Sequence, residues 1–326
     1  MNISEFYKEK IFPNILALQT TFDSIRYRNY SQKLPGNFSS LIVNKYTKEM
    51  VIQEGEYEYN YFNFCYLNNI LSLVIYCLYH GYLPIIELNY NRPEHIQWTW
   101  YFEQPFSIEN NFKSNSPNRL ICPRRYATFQ PHFQDIYEPR MIHLWGKIYS
   151  QCIKFNPQTK QYIDDEYQSI LAPFKRVLGV ICRGTDYVTL KPPGHPVQPD
   201  IEEILQHCQS HMRDSHYDAI YLATEEKKIR DAFVAAFPDK ILENKRKYYD
   251  EIYYSNDSIH FIKDVHFQRE HDDFFNGLEY LSSITLLSQC TSLIGGNCTG
   301  TMAAVFMNDN HYEYIHIFNY GVYPYN

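Results

Sequence analysis

The chain has 326 residues, of which 44% are hydrophobic and 21% are charged. This composition is typical of a soluble globular protein, and the length suggests about two domains. A formal net charge of −7 excludes a general basic surface for nucleic acid, so any polyanion site must be local. The 31 Tyr and 21 Phe residues fit either aromatic sugar-binding surfaces or a coding bias toward these residue types.

The N-terminal segment mixes charges into its apolar positions and offers no hydrophobic core of a secretory signal. The most apolar stretch, 67–88, contains Asn68, Asn69 and His80, which favour a buried helix and strand over a membrane span. The eight Cys residues form no C-x-x-C pair and fit buried thiols in a reducing compartment. We therefore expect a cytoplasmic protein with at most peripheral membrane association.

In the first half, apolar residues at helical spacing predict a helix over 66–79, and the apolar run 83–88 predicts a strand. A helix followed by a strand is typical of an α/β layer. The segments 89–106 and 110–123 are aromatic or polar and predict loops. A boundary near residue 170, in a polar stretch, gives an N-terminal α/β domain, 1–170, and a C-terminal domain, 171–326.

The second half alternates strand and helix patterns. Strands are predicted over 176–182, 217–223, 240–243, 292–296 and 314–318, and helices over 199–213, 225–237, 275–290 and 299–307. This alternation predicts a doubly wound parallel sheet. Ligands of such sheets bind at the carboxyl ends of the strands. We therefore expect candidate site residues directly after the predicted strands.

The first such segment is Arg183-Gly184-Thr185-Asp186. Arg183 suits a phosphate group because its planar guanidinium can donate to two oxygens at once. The flexible backbone at Gly184 and the side chains of Thr185 and Asp186 add donors and acceptors at the same point. An Arg183–Asp186 ion pair that only caps the sheet edge is the alternative.

Two further segments fall on the same edge. Thr224 and Glu225 either contact a ligand or serve as the N-cap and first-turn acid of the next helix. The Gly-rich turn 295–301 precedes a helix, where free amides and hydroxyls form an anion site. Its candidate contacts are Asn297, Cys298, Thr299, Gly300 and Thr301. An arginine and a group of amides on one edge together indicate a diphosphate ligand.

Other candidates lie outside these segments. Glu279 either accepts ribose hydroxyls or lies on a solvated helix face, and His195 either acts as an acid or base or is structural. The basic runs 124–125 and 245–247 are either solvated or lie beside an anionic partner. The sequence has no zinc-type Cys/His cluster, no G-x-S-x-G motif and no D-x-D triplet, so we expect no metal in the site.

Taken in order and spacing, these motifs resemble the donor-binding half of the α1,6-fucosyltransferases, the rhizobial nodulation fucosyltransferases and the protein O-fucosyltransferases. The resemblance covers about 176–308 and rests on GVICRGTDYV (179–188), HP (195–196), IEE (201–203), YLATE (221–225), LSQ (287–289) and CTGT (298–301). It implies a GT-B-like α/β fold, in which two Rossmann-like domains face each other across a cleft. The first domain would face the acceptor and the second would bind the nucleotide sugar.

Arg183 matches the family's arginine that binds the donor phosphate without metal, and Thr299 and its neighbours match hydroxyls on the same phosphates. Gly184 replaces the family's second arginine, Ile181 replaces its histidine, and Lys191 stands about where the α1,6 enzymes have an acidic base. Asp186 or His195 is our substitute for that base.

The resemblance implies inverting transfer of fucose or a related sugar from a GDP-sugar such as GDP-fucose. The expected acceptor is a glycan in surface polysaccharide or glycolipid synthesis. A non-catalytic nucleotide- or sugar-binding protein on the same fold is the alternative. A sulfotransferase is disfavoured because it would need an early N-terminal phosphate loop, and the sequence has none.

Overall fold

The computed structural model describes residues 38–53, 62–89, 95–106, 117–122, 127, 129–184, 187–188, 190–250 and 265–324. In the N-terminal half, strands β1 (Glu49–Ile52), β2 (Leu83–Ile86) and β3 (Arg119–Ile121) form a parallel sheet in the order β2-β1-β3. Helix α1 (Phe64–Tyr79) precedes β2 and is capped by the Asn63 side chain, which accepts from the Tyr66 N–H at 2.9 Å. Most of α1 is buried, as its continuous apolar sequence predicts.

The C-terminal half contains a second parallel sheet of five strands. These are β4 (Val177–Ile181), β5 (Ala219–Ala223), β6 (Ile241–Leu242), β7 (Ser292–Gly296) and β8 (Tyr314–Phe318), in the order β6-β5-β4-β7-β8. Helices α4 (Ile201–Ser215), α5 (Lys227–Ala236), α6 (Asp272–Leu287) and α7 (Thr299–Asn308) connect them. The prediction of an α/β fold with a doubly wound parallel sheet is confirmed.

The order places β4 between β5 and β7 at the centre of this sheet. Residues of β4, β5 and β7 are buried throughout, because helices cover both faces. Gly295 is required on β7 by close packing: a Cβ there would lie 2.3 Å from Ile181 Cγ2 and 2.5 Å from the Ile181 carbonyl oxygen. The carboxyl ends of β4 and β7 are therefore held directly against each other.

Two helices connect the halves, α2 (Pro139–Cys152) and α3 (Pro157–Ile170). The polar stretch in which we placed the boundary, 156–167, lies mostly within α3. The prediction of a loop over 110–123 was wrong in part, because β3 forms there. Strand β6 is shorter than predicted. Helix α6 begins three residues earlier than predicted, at Asp272 rather than Phe275.

The two halves share one hydrophobic core. Trp145 of α2 stacks on Phe306 of α7 with ring centroids 5.9 Å apart, and the Tyr101 hydroxyl donates to the Phe274 carbonyl at 2.8 Å. Both halves contribute to a single buried cluster, and a second, smaller cluster lies beneath α4 and α5. The boundary near residue 170 stays a prediction. Within the described ranges, no helix is long and apolar enough to cross a membrane.

Candidate functional site

The candidate site lies where β4, β5 and β7 end. A small cavity of about 10 Å³ there has room for about one water molecule. Its lining comes from the segments after these strands, from α6 and from the segment after β6: Ile181, Arg183, Ala223, Glu225, Arg246, Tyr280, Ser283, Ile284 and Cys298. The structure therefore brings together one predicted residue from each of the three segments, Arg183, Glu225 and Cys298.

Arg183 is held from two sides. Its Nη1 lies 3.2 Å from Glu225 Oε1, and its guanidinium lies 4.8 Å from the centre of the Tyr187 ring. The Arg183 side chain is 20% exposed and that of Glu225 is 10% exposed, so the pair is only partly desolvated. Thr185 and Asp186 lie outside the described residues, as does the alternative Arg183–Asp186 pair. The guanidinium is thus fixed at the end of β4 by Glu225 and Tyr187.

The residues after β5 build the turn into α5. Thr224 is buried, and its hydroxyl oxygen accepts from the Glu226 N–H at 3.3 Å. Glu226, not Thr224, is the N-cap residue of α5. The Glu225 carbonyl accepts from the Tyr249 N–H at 2.8 Å. Gly184, after β4, packs against the end of the Glu226 side chain, since a Cβ at Gly184 would lie 1.8 Å from Glu226 Oε2. Glu225 therefore faces the cavity while Thr224 supports the turn.

The turn after β7 uses two of its side chains for its own structure. Cys298 is the N-cap of α7, and its Sγ accepts a hydrogen bond from the Thr301 N–H at 3.5 Å. The Thr301 hydroxyl donates to the Gly296 carbonyl at 2.6 Å and is fully buried. Gly300 packs against Tyr280, since a Cβ at residue 300 would lie 2.8 Å from the Tyr280 hydroxyl oxygen. Cys298 and Thr301 thus shape the turn.

Two side-chain groups of the same turn have no hydrogen-bond partner among the described residues. Thr299 begins α7 and is half-buried, and its side-chain hydroxyl makes no hydrogen bond to other described residues. Asn297 is buried, and its Oδ1 has no hydrogen-bond partner in the part of the chain that the structure covers. Its backbone carbonyl accepts from Gln198 Nε2 at 2.9 Å. Thr299 and the first amides of α7 are therefore the groups of this turn that can bind an anion.

Glu279 does not line the cavity. Its carboxylate forms an ion pair with Arg269 and accepts from the Lys247 N–H at 3.2 Å. Because the side chain is buried, the alternative of a solvated helix face is wrong. The contact of Glu279 with ribose hydroxyls stays a prediction.

His195 is exposed and lies beyond Tyr187, with the two ring centres 5.3 Å apart. Its Nδ1 lies 3.2 Å from the Pro193 carbonyl. The backbone of its loop pairs with the segment after β8, where the Tyr323 N–H donates to the His195 carbonyl at 2.9 Å. The Tyr187 ring therefore lies next to both the Arg183 guanidinium and the His195 imidazole.

Sequence reasoning did not include Ser283 and did not single out Arg246 from its basic run, although both residues line the cavity. Arg246 stands in the basic run 245–247, and the structure turns it inward while Lys245 and Lys247 stay exposed. The run 124–125 lies outside the described residues. One group of possible metal ligands occurs among the described residues, His266, Asp272 and Asp273, and it is not part of this cavity.

No protein-family model matches the chain, and no curated protein matches it. Several solved structures are similar in fold. The NodZ α-1,6-fucosyltransferase soaked with GDP-fucose is 13% identical, with a TM-score of 0.44, over 80% of this chain and 93% of that chain. POFUT1 in complex with GDP is 9% identical, with a TM-score of 0.48, over 85% of this chain and 99% of that chain. A variant of Arabidopsis thaliana FUT1 in complex with GDP is 10% identical, with a TM-score of 0.44, over 86% and 76%.

Proposed function

We propose that this protein is a glycosyltransferase that takes its sugar from a nucleoside diphosphate donor bound at the carboxyl edge of the second sheet. The observation that carries the proposal is the convergence of Arg183 and the N-terminus of α7 on one edge, next to each other on the central strands β4 and β7. A fixed guanidinium and free helix amides together suit the two phosphates of such a donor.

The chemistry follows from where charge develops. When the glycosidic bond breaks, the leaving diphosphate gains negative charge, and Arg183 and the Thr299 end of α7 stabilise it. Because Glu225 and Tyr187 already orient the Arg183 guanidinium, little reorganisation is needed during the reaction. Asp186 or His195 would accept the proton of the acceptor hydroxyl, which attacks from the opposite face and inverts the configuration.

The finer parts of the proposal rest on the sequence. The motifs in 179–301 support GDP-fucose or a related GDP-sugar, and the arginine in place of a D-x-D triplet supports transfer without a metal ion. We propose a glycan acceptor used in surface polysaccharide or glycolipid synthesis, in the cytoplasm.

Thermal unfolding with GDP, UDP, CMP and their sugars tests the donor site. A ligand at about 100 times its dissociation constant should stabilise the wild type by roughly 2.7 kcal/mol. Arg183→Ala should lose that shift, whereas Arg176→Ala, at the opposite end of β4 and paired with Glu313, should keep it. No shift with any nucleotide would refute the donor site.

Turnover separates the enzyme from a non-catalytic binder. Release of GDP from GDP-fucose, with and without a panel of glycan acceptors, should be detectable for the wild type. Arg183→Ala should lower the rate by about 10²–10³, as the loss of one transition-state donor does in other enzymes. Tight GDP-sugar binding without any turnover would favour the binding protein instead.

A further inference from the structure

Arg246 differs from its two basic neighbours. Lys245 and Lys247 are exposed, whereas Arg246 lines the cavity together with Arg183. The Arg246 Nε is buried and has no hydrogen-bond partner among the described residues. Its guanidinium lies 5.8 Å from the centre of the Tyr248 ring. A long cationic side chain normally keeps its charged end in water, so a buried guanidinium nitrogen without an acceptor needs an explanation.

The main chain on both sides of Arg246 is fixed by buried carboxylates. The Lys245 N–H donates to Glu166 Oε1 at 2.8 Å, and the Lys247 N–H donates to Glu279 Oε2 at 3.2 Å. Asn244 adds a bond from its Nδ2 to the Glu279 carbonyl at 2.9 Å. Because α3 and α6 hold the residues before and after it, Arg246 is directed toward the cavity by the fold and does not reach it by chance.

Arg246 adds a positive charge to the cavity lining without a carboxylate of its own. Arg183 pairs with Glu225, whereas no acidic side chain in the described ranges forms an ion pair with Arg246. Ser283 is also buried there, and its hydroxyl has no partner among the residues that the structure covers. The cavity lining therefore contains two arginines, one carboxylate and two polar atoms without a partner, the Arg246 Nε and the Ser283 hydroxyl. Such a set of groups is complementary to an anion, which would supply an acceptor for the buried Nε and for the Ser283 hydroxyl.

We propose that Arg246 is a second donor-binding residue that contacts the diphosphate together with Arg183. This inference rests on the proposed function. The cavity holds about one water molecule, so the diphosphate would lie over its mouth, between Arg183 and the N-terminus of α7. Arg246 thereby supplies a second positive charge from the segment after β6, beside that of Arg183 after β4.

Binding of GDP, inorganic pyrophosphate and guanosine to matched variants tests the inference. Arg246→Met, which keeps the aliphatic packing, should weaken GDP and pyrophosphate binding by at least about tenfold and leave guanosine unchanged. The dependence of GDP affinity on salt concentration should become weaker, because one charge contact is lost. Lys245→Ala and Lys247→Ala remove equal charge from the exposed neighbours and should change GDP affinity less than about twofold.

The unliganded proteins provide a separate readout. Arg246→Met should melt at or above the wild-type temperature, because no ion pair is lost and a buried nitrogen without a hydrogen-bond acceptor is removed. If Arg183→Ala loses GDP binding while Arg246→Met binds GDP like the wild type, the inference is wrong and the proposed function stands. If the wild type binds neither GDP nor pyrophosphate, both fail.

Discussion

Glu166 of α3 accepts hydrogen bonds from α6 and from the segment that carries Arg246. Its removal should therefore lower the free energy of unfolding. The side chain is 3% exposed, with Oε1 2.8 Å from the Lys245 N–H and Oε2 2.5 Å from the Ser282 hydroxyl. Glu166→Ala leaves both donors without an acceptor, at about 1–3 kcal/mol each. Burial already raises the pKa of Glu166, so its carboxylate is itself held at some cost. We expect a net loss of about 2–3 kcal/mol in the free energy of unfolding.

Urea denaturation followed by tryptophan fluorescence measures this loss. Asp165→Ala changes the exposed neighbour on the same helix and should cost less than about 0.5 kcal/mol. Ser282→Ala removes one of the two stranded donors, so the double variant with Glu166→Ala should lose less than the sum of the single losses. Strict additivity, or a Glu166→Ala protein as stable as the wild type, would contradict the reasoning. GDP affinity should fall in Glu166→Ala, because the segment that carries Arg246 loses one of its anchors.

Gly295→Ala forces a Cβ to within 2.5 Å of the Ile181 carbonyl oxygen. It should lower the free energy of unfolding by about 1–3 kcal/mol, and a loss below about 0.5 kcal/mol in urea denaturation would argue against this close packing. The rings of His207 and His316 stack with their centres 3.9 Å apart. The pKa values of His316 and His211 lie below the usual 6.5, mainly because of burial and then because of the charge of His207. The unfolded chain therefore binds protons first as the pH falls, so the melting temperature should decrease below about pH 6.5. His207→Phe should flatten this dependence between pH 7.5 and 5.5, and an unchanged slope would show that other groups cause it.

The second sheet could be predicted because its signals are local. Each strand is a short apolar run between turn residues, and each helix begins near Pro, Thr or acidic residues. The strands of the first sheet carry weaker signals, since β1 is four residues long and β3 has only three, one of them Arg119. Helix α3 did carry a signal, Asn156 before Pro157, which its polar composition obscured.

The location of the candidate site followed from the rule that parallel strands end on one edge. The partners of individual side chains did not follow from it. Glu279 is engaged by Arg269 and by the Lys247 amide, and this pairing depends on how the segment before α6 folds back. Arg246 could not be told from Lys245 by composition, because only distant residues, such as Glu166, decide which of the basic side chains turns inward.

The segment after β8 suggests a way to follow ligand binding by fluorescence. It runs antiparallel to the loop that carries His195, with Pro196 bridged to Val322 and the Val197 N–H donating to the Gly321 carbonyl at 3.0 Å. Val322 is 54% exposed, whereas all eight native thiols are free and buried or half-buried. A maleimide dye would therefore attach preferentially to a Val322→Cys protein at that position. It would report on the His195 loop as donor and acceptor arrive.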